Sequence, residues 1–229
     1  MSTPTITVII PAFNEEKSIG KVVSDIPRDL VEHVIVVNNN SNDNTVEVAK
    51  SAGAIVLDEP RRGYGWACLK GIEKSRELKT DIVVFMDGDY SDYPEEIVKV
   101  IAPILEDNHD MVIGSRVLGK REKGSLTPQQ VFGNWLATKL IRLFYGARFT
   151  DLGPFRAIKS DALEQLKMAD KTYGWTIEMQ IKASKEKMKF CEVPVNYRKR
   201  IGVSKVSGTI KGTVLAGIKI IFAIFKYRF

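Results

Sequence analysis

The feature that most constrains this chain is an alternation, through its first half, of unbroken apolar runs with stretches of helical period. Residues 5–11, 34–37, 55–57, 82–86 and 111–113 are short, mostly β-branched runs of the kind buried on both faces of a sheet. Between them, residues 15–26 carry Ile19, Val22, Val23 and Ile26 at helical spacing. Residues 43–52 form a shorter helical stretch stopped at Gly53, and residues 64–78 and 94–105 continue the pattern. Such alternation gives an α/β domain whose mostly parallel sheet is covered on both faces. A length of 229 residues suits one such core with a short appendage. Ligands of open parallel sheets bind beyond the carboxyl ends of the strands, so the loops that follow each strand are the places to look for chemistry.

The second half is less regular. Residues 119–128 read as a polar loop, and residues 129–144 as an amphipathic helix with Val131, Trp135, Leu136, Leu140 and Leu143 on one side. Residues 155–158 and 190–195 look like strands, and residues 175–187 like a helix. The basic stretch 198–208 leads into a terminal helix, about residues 207–227. That helix sets Ile210, Val214, Ile218, Ile221, Phe222 and Phe225 on one face and carries Lys211, Lys219, Lys226 and Arg228. Its apolar run is cut by Lys219 and is shorter than the roughly 20 residues a bilayer span needs. It is expected to lie on a membrane without crossing it, with a core or dimer helix as the competing reading. The expected division is a catalytic domain at 1–205 and an interfacial helix at 206–229.

Composition removes several classes. The net charge of +6 suits anionic lipid or phosphorylated ligands, but no recognised nucleic-acid motif accompanies it. Cys68 and Cys191 have no close partner in sequence, and His33 and His109 are the only histidines, so neither a disulfide framework nor a zinc site is expected. Free cysteines fit a reducing cytoplasmic compartment. The first residues read as a strand and not as a signal peptide.

The strongest chemical signal is MDGDYSDYPEE, residues 86–96. Asp87 ends a strand and Asp89 follows two residues later, so in extended chain both carboxylates project to one side. Such a pair can hold a hard divalent cation, Mg²⁺ or Mn²⁺, with Gly88 between. Helix initiation accounts for Asp92 and Pro94, but not for Asp87 and Asp89. The first strand runs into PAFNEE, where Pro11, Phe13, Asn14 and Glu15 can meet a nucleotide. The second runs into NNNSNDNT, where the amides of Asn38 and Asn39 can bind a base edge from an exposed turn. Turn and cap chemistry competes for both segments. In PRRGYGWA, Arg62 and Gly63 precede a helix start, a place suited to phosphate or simply to a solvated basic turn.

Taken in order, VIIPAFNEE, VVNNNSNDNT and MDGDYSD resemble glycosyltransferase family 2, whose members have the GT-A fold, a Rossmann-like central sheet flanked by helices. The likeness continues through VIGSR, DLGPFRAI, YGWTIEMQIKA and EVPVNYRKRIGVSK, and these later motifs resemble the polyprenyl-phosphate branch, enzymes like the dolichyl-phosphate mannose and glucose synthases. Asn38 and Asn39 stand where the family usually carries aspartates, which leaves uracil and guanine both open as the base. The resemblance implies a metal-dependent inverting hexosyltransferase at the cytoplasmic membrane face, with a UDP- or GDP-sugar as donor and a lipid phosphate as acceptor. Asp89, with Asp87, would hold the cation; Ser91, a weak ligand, stands where some relatives place a further oxygen ligand; and Arg116, Arg156, Arg200 and Lys205 are candidates for phosphate. A saccharide hydroxyl as acceptor would need a general base, for which Asp151 and Glu178 are candidates. A non-catalytic, membrane-tethered nucleotide-binding module is the reading from another class, and a homo-oligomer remains open.

Overall fold

The computed structural model describes residues 3–202, 217 and 221–227. The chain runs β1 (Ile6–Ala12), α1 (Ile19–Asp25), β2 (His33–Asn38), α2 (Thr45–Ser51), β3 (Ile55–Asp58), α3 (Tyr64–Glu77) and β4 (Ile82–Phe85). A 3₁₀ turn at Pro94–Glu96 then opens α4 (Ile97–Asp107), followed by β5 (Met111–Ser115), α5 (Pro128–Tyr145), β6 (Arg156–Lys159), α6 (Ser160–Leu166), α7 (Trp175–Lys185) and β7 (Phe190–Pro194). The strands and helices expected within residues 3–202 are all present. Only α6 lies where the sequence gave no separate helical signal: it is short and follows β6 without a loop.

The strands form one seven-stranded sheet in the order β3-β2-β1-β4-β6-β5-β7. The four strands of the first half are parallel, and β7 runs parallel to β5. β6 lies antiparallel between β4 and β5. The alternating pleat sends neighbouring apolar residues to opposite faces. Ile9, Ile35, Val83 and Ile158 pack under α3, α5, α6 and α7, while Val8, Ile10, Val36 and Val84 pack under α1, α2 and α4. Unbroken apolar strands are therefore what a sheet covered twice requires, and each fully buried Ile or Val contributes about 1.5–3 kcal/mol.

The antiparallel β6 fixes the position of α5. Since β6 starts at the edge where β5 ends, everything between them is an excursion at the ligand-binding edge. α5 starts sharply because the Thr127 hydroxyl accepts from Gln130 N at 3.3 Å, Gln130 Oε1 accepts from Thr127 N at 2.8 Å, and Pro128 occupies the first helical position. It stops at Gly146, whose φ of 72° suits glycine. Most of the apolar stripe read from the sequence does not face the core. Val131, Trp135 and Leu143 are exposed, as is Phe132, and α5 instead buries Ala137, Thr138 and Ile141. The helix is apolar round most of its circumference, and of the expected stripe Leu140 packs partly against the core, as do Phe144 and Tyr145.

Of the expected terminal helix, residues 221–226 are helical. Ala223 and Ile224 are buried in the core, whereas Ile221, Phe222 and Phe225 are exposed. The Tyr145 hydroxyl donates to Ile224 O, and the Phe144 and Phe225 rings lie 5.2 Å apart. The rest of that expected face, with Ile210, Val214 and Ile218, lies outside the described residues. Among the described residues, no helix is long and apolar enough to cross a membrane.

Candidate active site

The carboxyl ends of β1 and β4, the first turn of α3 and the excursion carrying α5 enclose a cleft of about 1130 Å³. Pro11, Phe13, Glu15, Asn39, Arg62, Gly63, Asp87, Gly88, Asp89, Arg116 and Arg200 all line it. Asn14 and Asn38 do not belong to its lining. The Asn14 carboxamide accepts from Asn42 N at 2.8 Å, while its own N–H donates to the Ser41 hydroxyl at 3.0 Å. Asn38 bridges Asp58 and Ser41 N. The polar loop after β2 thus braces the loop after β1.

Asn39 corrects the expectation of an exposed turn, since it is only 8% exposed. Its Nδ2 donates to Glu59 O at 3.0 Å and Arg61 O at 2.8 Å, and its Oδ1 accepts from Gly63 N at 2.8 Å. The amide therefore shapes the 59–63 loop. Arg61 is held by Glu59 through bonds of 2.7 Å and lies 3.6 Å over the Trp66 ring. This leaves Arg62 in the cleft beside Phe13, 5.4 Å from its ring. A methyl group added at Gly63 or Gly65 would fall within about 2 Å of the carbonyls of Lys171 and Asp170, so both glycines are needed for backbone to approach backbone there.

The two aspartates predicted as cation ligands are brought together. Asp89 Oδ1 accepts from Ser91 N at 2.9 Å and Ser91 Oγ at 2.5 Å, which makes Ser91 a support for Asp89. The hydroxyl of Ser91 is buried and does not line the cleft, so it is not placed as a cation ligand. Asp89 Oδ2 forms an ion pair with the Arg200 guanidinium. Burial, then the charge of Asp89, pushes the Asp87 carboxyl up to about 6, against the pull of Arg200 and Arg116. Asp92 is buried, with no hydrogen-bond partner on either carboxylate oxygen among the described residues. Its pKa is raised well above the usual range by burial, then by Asp87 and Asp89. Sequence reasoning gave Asp92 only to helix initiation; three aspartates within six residues was the available signal.

Hard oxygen ligands with a guanidinium already on one of them fit a divalent cation. Among the described residues, no cluster of three or more His, Cys, Asp or Glu side chains surrounds a single point. Two carboxylates that leave further positions to ligand phosphates are the arrangement Mg²⁺ or Mn²⁺ favours.

The remaining predicted residues are mostly structural in position. Asp151 is buried and takes three bonds from Arg116, from N and Nε at 2.8 Å and Nη2 at 2.7 Å. Burial would raise its pKa, but the charge and hydrogen bonds of Arg116 outweigh that and hold it low. Arg116 reaches the cleft and Asp151 does not. Glu178 is fully buried and accepts from Ala169 N, Asp170 N, the Tyr227 hydroxyl and Lys182. Those partners overcome its burial and keep it ionised. Neither carboxylate is placed as a general base. Arg156 is not placed for phosphate either: it is buried and donates to Gly153 O, Leu152 O and Thr176 O. Burial lowers its pKa to about 10. Lys205 lies outside the described residues.

Sequence reasoning also missed the apolar wall of the cleft, which includes Leu126, Phe132, Leu136 and Ile221. Tyr64, Trp175 and Tyr197 line the cleft as well.

A doubly wound sheet with a carboxylate pair at the carboxyl end of β4, facing arginines across a cleft, defines a protein of the GT-A type. Residues 7–167 match the model of Glycosyl transferase family 2, and the chain belongs to that family. It is 31% identical to a UDP-N-acetylglucosamine–dolichyl-phosphate N-acetylglucosaminyltransferase of Methanococcus voltae, covering 85% of this chain and 86% of that protein. It is 29% identical to a dolichyl-phosphate hexose transferase of Haloferax volcanii, covering 92% of this chain and 90% of that one. Among solved structures, the fold is that of glucosyl-3-phosphoglycerate synthase from Mycobacterium tuberculosis bound to Mn²⁺, UDP and phosphoglyceric acid. That likeness has a TM-score of 0.79 at 22% identity, covering 98% of this chain and 78% of the other.

Proposed function

We propose that this glycosyltransferase moves a hexose, with inversion, from a UDP- or GDP-sugar to a polyprenyl-type phosphate at the cytoplasmic face of a membrane. The observation that carries the reading is one cleft with two kinds of lining. It is lined by Asp87, Asp89, Arg116 and Arg200, and also by Leu126, Phe132, Leu136 and Ile221. The ligand that matches both is a charged head on a long apolar tail. The names of the two archaeal relatives point the same way.

The donor lies across the ends of β1, β2 and β4, its base by Phe13 and its diphosphate between Arg62 and the aspartates. Asp87 and Asp89 would hold Mg²⁺ or Mn²⁺, and the ion would supply positive charge to offset that growing on the leaving diphosphate. Arg116, fixed by Asp151, presents its guanidinium to phosphate oxygens. A phosphate monoester is largely dianionic at neutral pH and attacks without a general base, which agrees with Asp151 and Glu178 being fully engaged elsewhere. A saccharide hydroxyl would need such a base. The exposed Phe132, Trp135, Phe222 and Phe225, with Lys139, Arg142 and Lys226 beside them in sequence, support contact with an anionic lipid surface, residues 206–229 serving as its appendage.

The test is Phe132→Asp. Phe132 is 61% exposed, so the substitution spares the fold. Losing its contact with an apolar tail should raise the KM for polyprenyl phosphate by roughly tenfold or more. The affinity for UDP or GDP should stay as it was. An unchanged KM would remove the apolar wall from acceptor binding.

A further inference from the structure

We propose that Arg200 occupies the cation position of the cleft until a divalent ion arrives, and that the ion's arrival passes its guanidinium from Asp89 to a phosphate of the ligand. The proposal rests on the reading of Asp87 and Asp89 as cation ligands.

Asp89 has one oxygen to offer. Oδ1 is taken by the backbone N–H and hydroxyl of Ser91, at 2.9 and 2.5 Å. Oδ2 carries the Arg200 guanidinium. A divalent ion coordinated by Oδ2 would sit about 2 Å from it, where a guanidinium cannot remain, by volume or by charge. Ion and arginine therefore exclude one another.

The exchange needs only one side chain to move, because the backbone on either side of Arg200 is fastened to the aspartate loop. Arg198 N donates to Ser91 O at 2.9 Å, and Ile201 N donates to Asp89 O at 2.9 Å. The Arg198 guanidinium stacks 3.4 Å over the Tyr90 ring and 4.2 Å from Tyr93, and its Nε donates to Tyr90 O at 2.7 Å. Once released, Arg200 remains anchored at the rim of the cleft. Its Nε is buried without a hydrogen-bond partner among the described residues, while its side chain is 31% exposed. Contact with a phosphate would employ that idle donor together with the Nη groups, the paired geometry at which arginine excels. The ion and the arginine would then face the same phosphate from two sides, and the arginine would be ready only when the ion is in place.

The experiment measures Mn²⁺ binding to the full chain by electron paramagnetic resonance, with and without UDP or GDP. It compares the parent with Arg200→Ala, Arg200→Gln and Asp89→Asn, each checked by thermal unfolding. Without nucleotide, both Arg200 variants should bind Mn²⁺ more tightly than the parent, on the order of tenfold, because a competing positive charge is gone. With nucleotide, the order should reverse, since the variants lack a phosphate contact. Asp89→Asn should lose Mn²⁺ under both conditions. Equal or weaker Mn²⁺ binding by the Arg200 variants without nucleotide would overturn the exchange. If Asp89→Asn kept the parent's affinity, the cation reading itself would fall and the exchange with it. Arg200→Gln keeps most of the length and some hydrogen bonding, so it decides the matter if Arg200→Ala unfolds.

Discussion

Replacing Asp151 by Asn separates a structural carboxylate from a catalytic one. Asp151 receives three bonds from Arg116 at 2.7–2.8 Å, and the two side chains are 1% and 12% exposed. Asparagine keeps the shape but not the charge. Whichever way its amide turns, a nitrogen faces an N–H of Arg116, so at least one bond is lost and the buried guanidinium loses the carboxylate paired with it. Breaking a buried pair from one side costs about 3–5 kcal/mol, which at a urea slope of roughly 2 kcal/mol/M lowers the midpoint by about 2 M. The pH dependence has a definite sign. The folded pKa of Asp151 is depressed, so its stabilisation is present above the unfolded value and is lost as pH falls through the folded one. The gap between parent and variant should therefore narrow below about pH 4. Urea unfolding at constant slope, repeated from pH 7 to pH 3, reads both effects. A variant as stable as the parent but devoid of transfer would refute the reasoning and restore Asp151 as a candidate base.

Other substitutions test the walls of the cleft. Asn39→Ala strips partners from Glu59 O, Arg61 O and Gly63 N, and should cost about 2–3 kcal/mol while weakening nucleotide binding; calorimetry and thermal unfolding read the two effects, and unchanged stability would contradict the buried role. Gly65→Ala puts a methyl group 2.0 Å from Asp170 O and should destabilise by about 1–3 kcal/mol as α3 and the 170–171 backbone separate, a change seen as a lower melting temperature.

The sheet was legible because β1, β2, β4 and β5 are buried on both faces, which leaves an unbroken apolar run as their only workable composition. The reversal of β6 was not legible, since Arg156–Lys159 reads the same in either direction. The outward turn of α5 was hidden for a related reason. A helix apolar on most sides does not declare which side faces inward, and the small Ala137 decided it. In the cleft, the Asp87 and Asp89 pair was legible in the sequence, although the two lie in the segment and turn that follow β4 and not in extended strand. What was not legible at Asn39, Arg156, Asp151 and Glu178 has a common cause. Polar residues at strand ends and helix starts can serve a ligand or the loops that shape its site, and the choice depends on partners distant in sequence: Gly63 for Asn39, Thr176 for Arg156, Arg116 for Asp151 and Tyr227 for Glu178.

The central claim is transfer to a lipid phosphate, and the identity of the labelled product tests it most directly. The purified chain would be given radiolabelled UDP- and GDP-hexoses in turn, with Mn²⁺ or Mg²⁺, and a choice of polyprenyl phosphate or free oligosaccharide. The account predicts label in an organic-extractable glycosyl phosphodiester that mild acid releases as free sugar, formed in step with nucleoside diphosphate and abolished in Asp89→Asn. Label carried only by the oligosaccharide, with the lipid phosphate left unmodified, would contradict it.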